Sequence, residues 1–319
     1  MVFSLTEPPL FTRLRGTDRV LIAGAGGGFD VYAGLPLAVS LRQLGKQVFL
    51  ANLTFSDLNQ VDLDDWPHPG VASIRPDTAG SPDYFPERVL ARWLASRELP
   101  STVYAFERTG VWPLRSAYQA LVKHLAVDAI VLVDGGTDIL MRGDEAGLGT
   151  PEEDMTSLAA VAGIDEVERL VVCLGFGIDA YHGVCHAQVL ENLAALDRDG
   201  SYLGAFSIPS RSAEAQAYLD AVAYAQAMTP LRPSIVNGQI AAALRGEFGN
   251  VGFTARTSGS ELFVNPLMGL YFAVDLLALA HNVRYIDRLA DTRTIMDVAL
   301  AIEEYRDQSD RRPWRAIPH

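Results

Sequence analysis

The sequence predicts an α/β fold: a Rossmann-like, doubly wound, mainly parallel sheet with a helix-rich C-terminal part, in a single domain spanning residues 1–319. Three observations lead there. Apolar runs of strand length alternate with amphipathic runs of helix length over residues 17–210, which are the expected sheet core. The first of these units, "VLIAGAGGGFDVYAGLPLA" (20–38), is a buried strand, a glycine-rich turn and the start of a helix. From residue 211 to 319 the pattern turns predominantly helical.

The elements follow in order. Residues 19–25 ("RVLIAGA") form the first strand, 31–44 a helix closed by Gly45, and 46–55 ("KQVFLANLTF") a second strand, a spacing that suits a parallel crossover. Residues 56–82 are polar and proline-rich, with a short strand at 71–75. A loop of that length is more often functional than a plain connector. Helices are expected at 86–97, 113–125, 151–162 and 184–196, and strands at 102–107, 169–175 and 202–207. The run 129–136 ("AIVLVDGG"), apolar and largely β-branched, has the composition of a central strand buried on both faces. The C-terminal part is expected to hold helices at 211–227, 233–246, 264–281 and 292–307, and one more strand at 283–287.

Composition narrows the function classes. A net charge of −13, with 39 acidic residues against 26 lysines and arginines, repels a phosphate backbone and argues against nucleic-acid binding. No apolar run of about 18 residues suggests a membrane-spanning helix. The opening "MVFSLTEPPLFTRLRG" has an acid and prolines where a signal peptide needs a basic and then an apolar stretch. Two cysteines, Cys173 and Cys185, make no disulfide framework. A cytoplasmic protein with a small-molecule ligand is expected, and neither nucleic acid nor membrane as partner. Whether the apolar stretches 231–244 and 264–281 pack internally or across a homo-oligomer stays open.

In a doubly wound sheet, ligands bind in loops at the carboxyl ends of the strands. Four such loops combine glycines with charged or polar residues. In the first, Gly24, Gly26, Gly27 and Gly28 can turn backbone N–H groups towards an anion before a helix N-terminus. Position 29, where a dinucleotide fingerprint needs glycine, is Phe29, and the second strand ends without the acid that would hold a ribose. Asp30 is then either the helix N-cap or the edge of an acidic site.

The second loop, "VDGGTDILMRGDE" (133–145), holds Asp134, Asp138, Asp144 and Glu145 with Gly135, Gly136 and Thr137 among them. Two jobs suit such carboxylates: Asp134 and Asp138 share a hard cation such as Mg²⁺, or one acts as general acid or base. Ordinary turn chemistry is the plainer alternative.

The third, "LGFGIDAYHGVCHAQ" (174–188), carries Asp179, His182 and His186, two of the chain's six histidines. The two histidines share a helix face only if the helix begins before His182. The spacing resembles part of a zinc motif that lacks its glutamate, with Cys185 as a soft donor. The fourth, "AFERTGVWPLR" (105–115), offers Glu107 and Arg108, beside Trp112, for substrate; Arg108 or Arg115 can clamp a carboxylate or phosphate. Further on, Ser210, Arg211, Ser258, Ser260 and Glu261 are candidate ligand or lid contacts. Asn265 before Pro266 suits a helix N-cap, and Tyr271 and Phe272 suit the core.

With these loops in view, the chain resembles the uncharacterised prokaryotic family catalogued as domain of unknown function 1152. The resemblance is carried by "GAGGGFDVYAGLPLA" (24–38), "VDGGTDILMRGDE" (133–145) and "LGFGIDAYHG" (174–183) and spans nearly the whole chain. It brings no reaction with it. More distantly, 24–50 and "DGGTDILMRG" (134–143) are similar to loops of the D-glutamate cyclase family, although that family's "GNE" is Thr137–Asp138–Ile139 here. That likeness implies a shared scaffold and tilts the expectation towards lyase or hydrolase chemistry on small carboxylates.

The expectation is therefore an enzyme acting on a small polar, anionic metabolite by hydrolysis, elimination or cyclisation. Asp134, Asp138, Asp179, His182 and His186 would be catalytic, and Gly24, Gly26, Gly27, Gly28 and Asp30 would bind the cofactor. Gly135, Gly136, Thr137, Glu107 and Arg108 would meet substrate. The cofactor would be Mg²⁺ or another divalent cation, and NAD is not expected. The alternative is a non-catalytic, Rossmann-like regulatory protein that binds a nucleotide or metabolite.

Overall fold

The computed structural model describes residues 3–252, 254, 257 and 259–317. Its strands are β1 (Arg19–Gly24), β2 (Gln47–Leu53), β3 (Val71–Ile74), β4 (Val103–Phe106), β5 (Ala129–Asp134), β6 (Glu168–Leu174), β7 (Tyr202–Ser207) and β8 (Leu270–Asp275). They form one sheet in the order β3-β4-β2-β1-β5-β6-β8-β7. β4, β2, β1, β5 and β6 run parallel, β3 is antiparallel to β4, and β8 is antiparallel to both of its neighbours. This is the mainly parallel α/β architecture that the alternation of patterns predicts.

Period-two alternation sends successive side chains to opposite faces. Val20, Ile22 and Val131 pack beneath α1 (Pro9–Arg13), α2 (Asp30–Ala33), α3 (Leu35–Gln43), α4 (Pro86–Ser96), α8 (Ala213–Met228) and α9 (Ile235–Leu244). Leu21, Ala23 and Leu132 pack beneath α5 (Val111–Leu125), α6 (Pro151–Ala162), α7 (His186–Arg198), α10 (Leu276–Asn282), α11 (Ile286–Leu289) and α12 (Ile295–Gln308). From β1 the chain winds one way through β2 to β4, then returns to the far side of β1 and winds the other way through β5 and β6. The switch point lies between β1 and β5, where Gly24 pairs with Val133, and the crevice above it is the standard ligand position of such sheets.

Three expectations are corrected. The helix over 31–44 is two helices, broken at Gly34, because Pro36 has no N–H to continue the ladder. The helix over 264–281 is a short turn (Pro266–Gly269), then strand β8, then α10. The unbroken apolar run hides that boundary, although Asp275, whose side chain accepts from the Ala278 N–H at 2.9 Å, caps α10. The strand over 283–287 is instead a turn leading into α11; Tyr285 is buried there against Tyr305, ring centroids 5.3 Å apart. Residues 211–319 are thus helix-rich but also supply a strand to the sheet core, and both 231–244 and 264–281 bury apolar side chains within this chain. Asn265 does cap the Pro266–Gly269 turn, accepting from the Leu267 N–H at 3.0 Å. Among the described residues no helix is long and apolar enough to cross a membrane.

Strand β8 is tied to the helix that leaves the glycine turn, because the buried Tyr271 hydroxyl donates to the Ala33 carbonyl. Tyr271→Phe leaves that carbonyl without its donor and is expected to lower the free energy of unfolding by about 1–3 kcal/mol in urea titration. An unchanged midpoint would show that the bond contributes nothing.

Candidate active site

The glycine turn is shaped by the strands beneath it. The Ala25 N–H donates to the Val133 carbonyl at 2.9 Å, and the Ala25 carbonyl accepts from the Ser157 hydroxyl at 2.7 Å. Gly27 and Gly28 then take positive φ (89° and 62°), and the chain doubles back so that the Gly26 N–H donates to Asp30 Oδ2 at 2.7 Å. Asp30 is therefore not the N-cap of α2; Phe29 holds that position, and the Asp30 carboxylate bonds back into the turn.

The Gly26 N–H is not open to an anion, because it already serves Asp30. A Cβ on Gly26 would lie 2.8 Å from Asp30 Oδ2 and 2.9 Å from both carboxylate oxygens of Asp154. The crevice is acidic.

Asp30, Asp134 and Asp154 bring one carboxylate oxygen each to within 4.8 Å of one another. Asp30 follows β1, Asp134 ends β5, and Asp154 stands in the first turn of α6. Asp134 and Asp154 are only 3 % and 2 % exposed, while Asp30 reaches the surface along one edge. Asp134 Oδ2 accepts one long bond, 3.4 Å, from the Ile139 N–H. Asp154 Oδ1 is buried with no hydrogen-bond partner among the described residues. An ionised carboxylate left that way is costly, so the trio needs either protons or a cation.

Two more buried aspartates surround it. Asp138, 4 % exposed, accepts at Oδ2 from the Thr150 N–H at 2.9 Å and its hydroxyl at 3.2 Å. Asp179, 5 % exposed, accepts from the Thr137 N–H at 2.6 Å and lies so close over Gly136 that a Cβ there would be 2.7 Å from Oδ2. Gly135 likewise leaves room for Asp30 Oδ1, 3.0 Å from where its Cβ would stand. Glycine at 26, 135 and 136 is thus explained by approaching carboxylates.

Burial pushes every one of these carboxyls upward. Asp30 rises to about 8, with the opposing Gly26 and Gly135 N–H donors outweighed by desolvation. Asp134 lies well above its ordinary range through burial, then through the charges of Asp138, Asp179 and Asp30. Burial and then the Asp134 charge do the same to Asp154, and burial and then Asp138 to Asp179. Asp138 is raised by burial, with the Thr150 bonds and the charge of His182 pulling the other way.

The expected residues divide accordingly. Asp30, Asp134, Asp138 and Asp179 converge, with His182 exposed beside Asp138. Asp134 is grouped with Asp30 and Asp154 rather than with Asp138, whose Oδ2 accepts from Thr150. His182 and His186 do not share a helix face: His182 ends the turn Ile178–His182, Gly183 takes the left-handed conformation, and His186 opens α7. His186 packs on Phe176, ring centroids 5.2 Å apart, and burial lowers its pKa. The Cys185 thiol donates to the Arg315 carbonyl, and among the described residues the ligand-type side chains of this loop form no three-member cluster.

Asp144 and Glu145 point elsewhere, into ion pairs with Arg142 and Arg312. Arg115 donates to the Ala159 carbonyl within the α5–α6 packing. Glu107 and Arg108 line a separate cavity beside the crevice. Ser210, Arg211 and Glu261 are exposed, and Ser258 lies outside the described residues.

Sequence reasoning missed Asp154 and its neighbour Glu153, the partner of Arg108 at 2.6 Å. Three acids in the first turn of a helix look like dipole chemistry. The signal was the register: Asp154 lies in the same i, i+4, i+7 row as Leu158 and Val161, an acid on the apolar stripe. Glu87 was missed too. Fully buried at the start of α4, it accepts from Asn52 at 2.7 Å and from the Ser56 hydroxyl at 3.1 Å, while Asn52 also donates to the Gly28 carbonyl.

Compared with known proteins, residues 21–306 match the model of a family described as "Protein of unknown function (DUF1152)". No curated protein matches the chain.

The raised carboxyls fix the sign of a pH effect. A group whose folded pKa exceeds its unfolded value, here 3.8, gives stability that is complete below the unfolded pKa and lost as pH climbs to the folded one. In chelator-treated protein the melting temperature is expected to fall as pH rises from about 4 to about 8, and Asp30→Asn should make that fall shallower. A profile that does not fall would mean that these acids are solvated.

Proposed function

The chain belongs to the DUF1152 family, and we propose that it is a divalent-cation-dependent enzyme acting on a small polar, anionic metabolite by hydrolysis, elimination or cyclisation. The observation that carries the reading is the partnerless, buried Oδ1 of Asp154, a residue clustered with Asp30 and Asp134 at the switch point of the sheet. The donor set is all carboxylate, which suits a hard ion such as Mg²⁺ that keeps part of its water shell. The cation would reverse the local field, so that an anionic substrate is attracted where five acids alone would repel it.

Around that ion the chain's own groups have distinct work. Asp30, Asp134 and Asp154 hold it. Asp138, buried and under the field of solvent-exposed His182, carries a proton between the crevice and water. Asp179 is a positioning residue: it accepts from Thr137 and fixes the Gly135–Gly136 segment under the substrate. Asn52 and Glu87 brace the glycine turn from below. A nucleotide diphosphate resting on the glycine turn would collide with Asp30 and Asp154, which is why we favour catalysis over nucleotide sensing.

Calorimetric titration with Mg²⁺ or Mn²⁺ tests this reading. Wild-type protein is expected to bind one ion per chain, and Asp134→Asn or Asp154→Asn to weaken binding on the order of 100-fold or more. Because each change removes a buried charge, the metal-free variants should melt no lower than the wild type at pH 8. Wild-type protein that binds neither ion at millimolar concentration would overturn the reading.

A further inference from the structure

A second feature stands on the same edge of the sheet. The loops leaving β2 and β4 enclose a cavity of about 460 Å³, lined among others by Thr54, Ser56, Asn59, Trp66, Glu107 and Arg108. The part-exposed ring of Phe55 separates it from the glycine turn; a Cβ at Gly27 would lie 2.8 Å from that ring. Arg108 spans the divide. Its guanidinium lies over Phe55, 5.6 Å from the ring centroid, and both its Nε (2.6 Å) and its Nη2 (2.5 Å) lie on Oε1 of Glu153, the residue before Asp154. The guanidinium is thus held against the first turn of α6, and Nη1 is the nitrogen left for a ligand.

The lining is more polar than apolar. It combines hydroxyls, an amide and two carboxylates, Asp57 and Glu107, with one indole and three aliphatic side chains, Leu58, Val61 and Leu63. A sugar or polyol matches that set: its hydroxyls both donate and accept, and its C–H face can rest on an indole. Its volume suits a monosaccharide-sized body, and Arg108 with the neighbouring cation would meet one negative charge.

We propose that this cavity receives the hydroxylated body of a polyhydroxylated anion, a sugar phosphate or sugar acid, whose charged group lies between the cation site and Arg108. This rests on the cation-dependent reading above and names the substrate class of that site. Ser56 would link the two places, since it lines the cavity and its hydroxyl donates to Glu87, the brace of the glycine turn.

Trp66 provides the readout. In the presence of Mg²⁺, full-length protein would be titrated with ribose 5-phosphate, glucose 6-phosphate and gluconate, and with inorganic phosphate, acetate, ribose and glucose as controls. At least one polyhydroxylated anion is expected to change tryptophan emission and to bind at least about tenfold more tightly than every control, a difference of about 1.4 kcal/mol. The emission change should vanish in Trp66→Phe. Arg108→Gln should weaken the anion about tenfold while Mg²⁺ binding by calorimetry is unchanged, and Asn59→Ala should weaken the sugar anion without affecting inorganic phosphate.

Which anion binds tells phosphate from carboxylate as the charged group. Normal Mg²⁺ binding with no preference for any of the three probes, or an unaltered Arg108→Gln, overturns this inference alone. Absence of Mg²⁺ binding overturns the cation reading and this inference with it.

Discussion

The mutual repulsion of carboxylates in a place that water cannot fully reach is the constraint on which the rest of this structure depends. Asp30, Asp134, Asp138, Asp154 and Asp179 come from four separate segments of the chain, and their convergence requires each segment to be held against the tendency of like charges to part. The sheet supplies that hold. β1 and β5 are zipped in parallel register up to Gly24 and Val133, and the Ala25 N–H extends the ladder one residue further. The opposing tendencies meet just above that last bond. The acids are forced together by a frame whose stability comes from apolar packing on both faces of the sheet, which reaches to the residues flanking each of them.

The fold was largely legible and the site only partly so, and the difference has a physical origin. Strands β1, β2, β5 and β6 announce themselves because burial on both faces demands unbroken apolar runs, and parallel crossovers demand the spacing between them. β8 was hidden for the same reason. An antiparallel strand buried between two neighbours, as β8 is between β6 and the edge strand β7, has the composition of a buried helix, and only Asp275 marks where one becomes the other. In the site, Asp30, Asp134 and Asp179 could be found because strand-end loops are where ligands bind. Asp154 could not be found that way, because it belongs to a helix and reaches the crevice from the side. The periodic row it shares with Leu158 and Val161 was the available clue, and it carries weight only once an acid on an apolar stripe is treated as an anomaly.

Glycine has a different meaning here from the one its spacing suggests. In a nucleotide-binding turn, the missing side chains make room for a ligand's phosphates. At Gly26, Gly135 and Gly136 they make room for the protein's own carboxylates. The shape is inherited from the switch-point crevice, but its polarity is inverted, and that inversion separates this site from the dinucleotide folds its backbone resembles.

The position of β8 also bears on the order in which the molecule can be assembled. β6 and β7 do not pair with each other; each is completed by a strand that leaves the ribosome some 60 residues after β7, as the chain numbering requires. Until residues 270–275 are made, the nascent sheet carries two unsatisfied edges, and β6 in particular, apolar from Leu170 to Leu174, has N–H and C=O groups open to any neighbour. The C-terminal part is the closing piece of the sheet, so a chain cut short before it would retain every acid of the crevice while exposing a template for association with other unfinished chains.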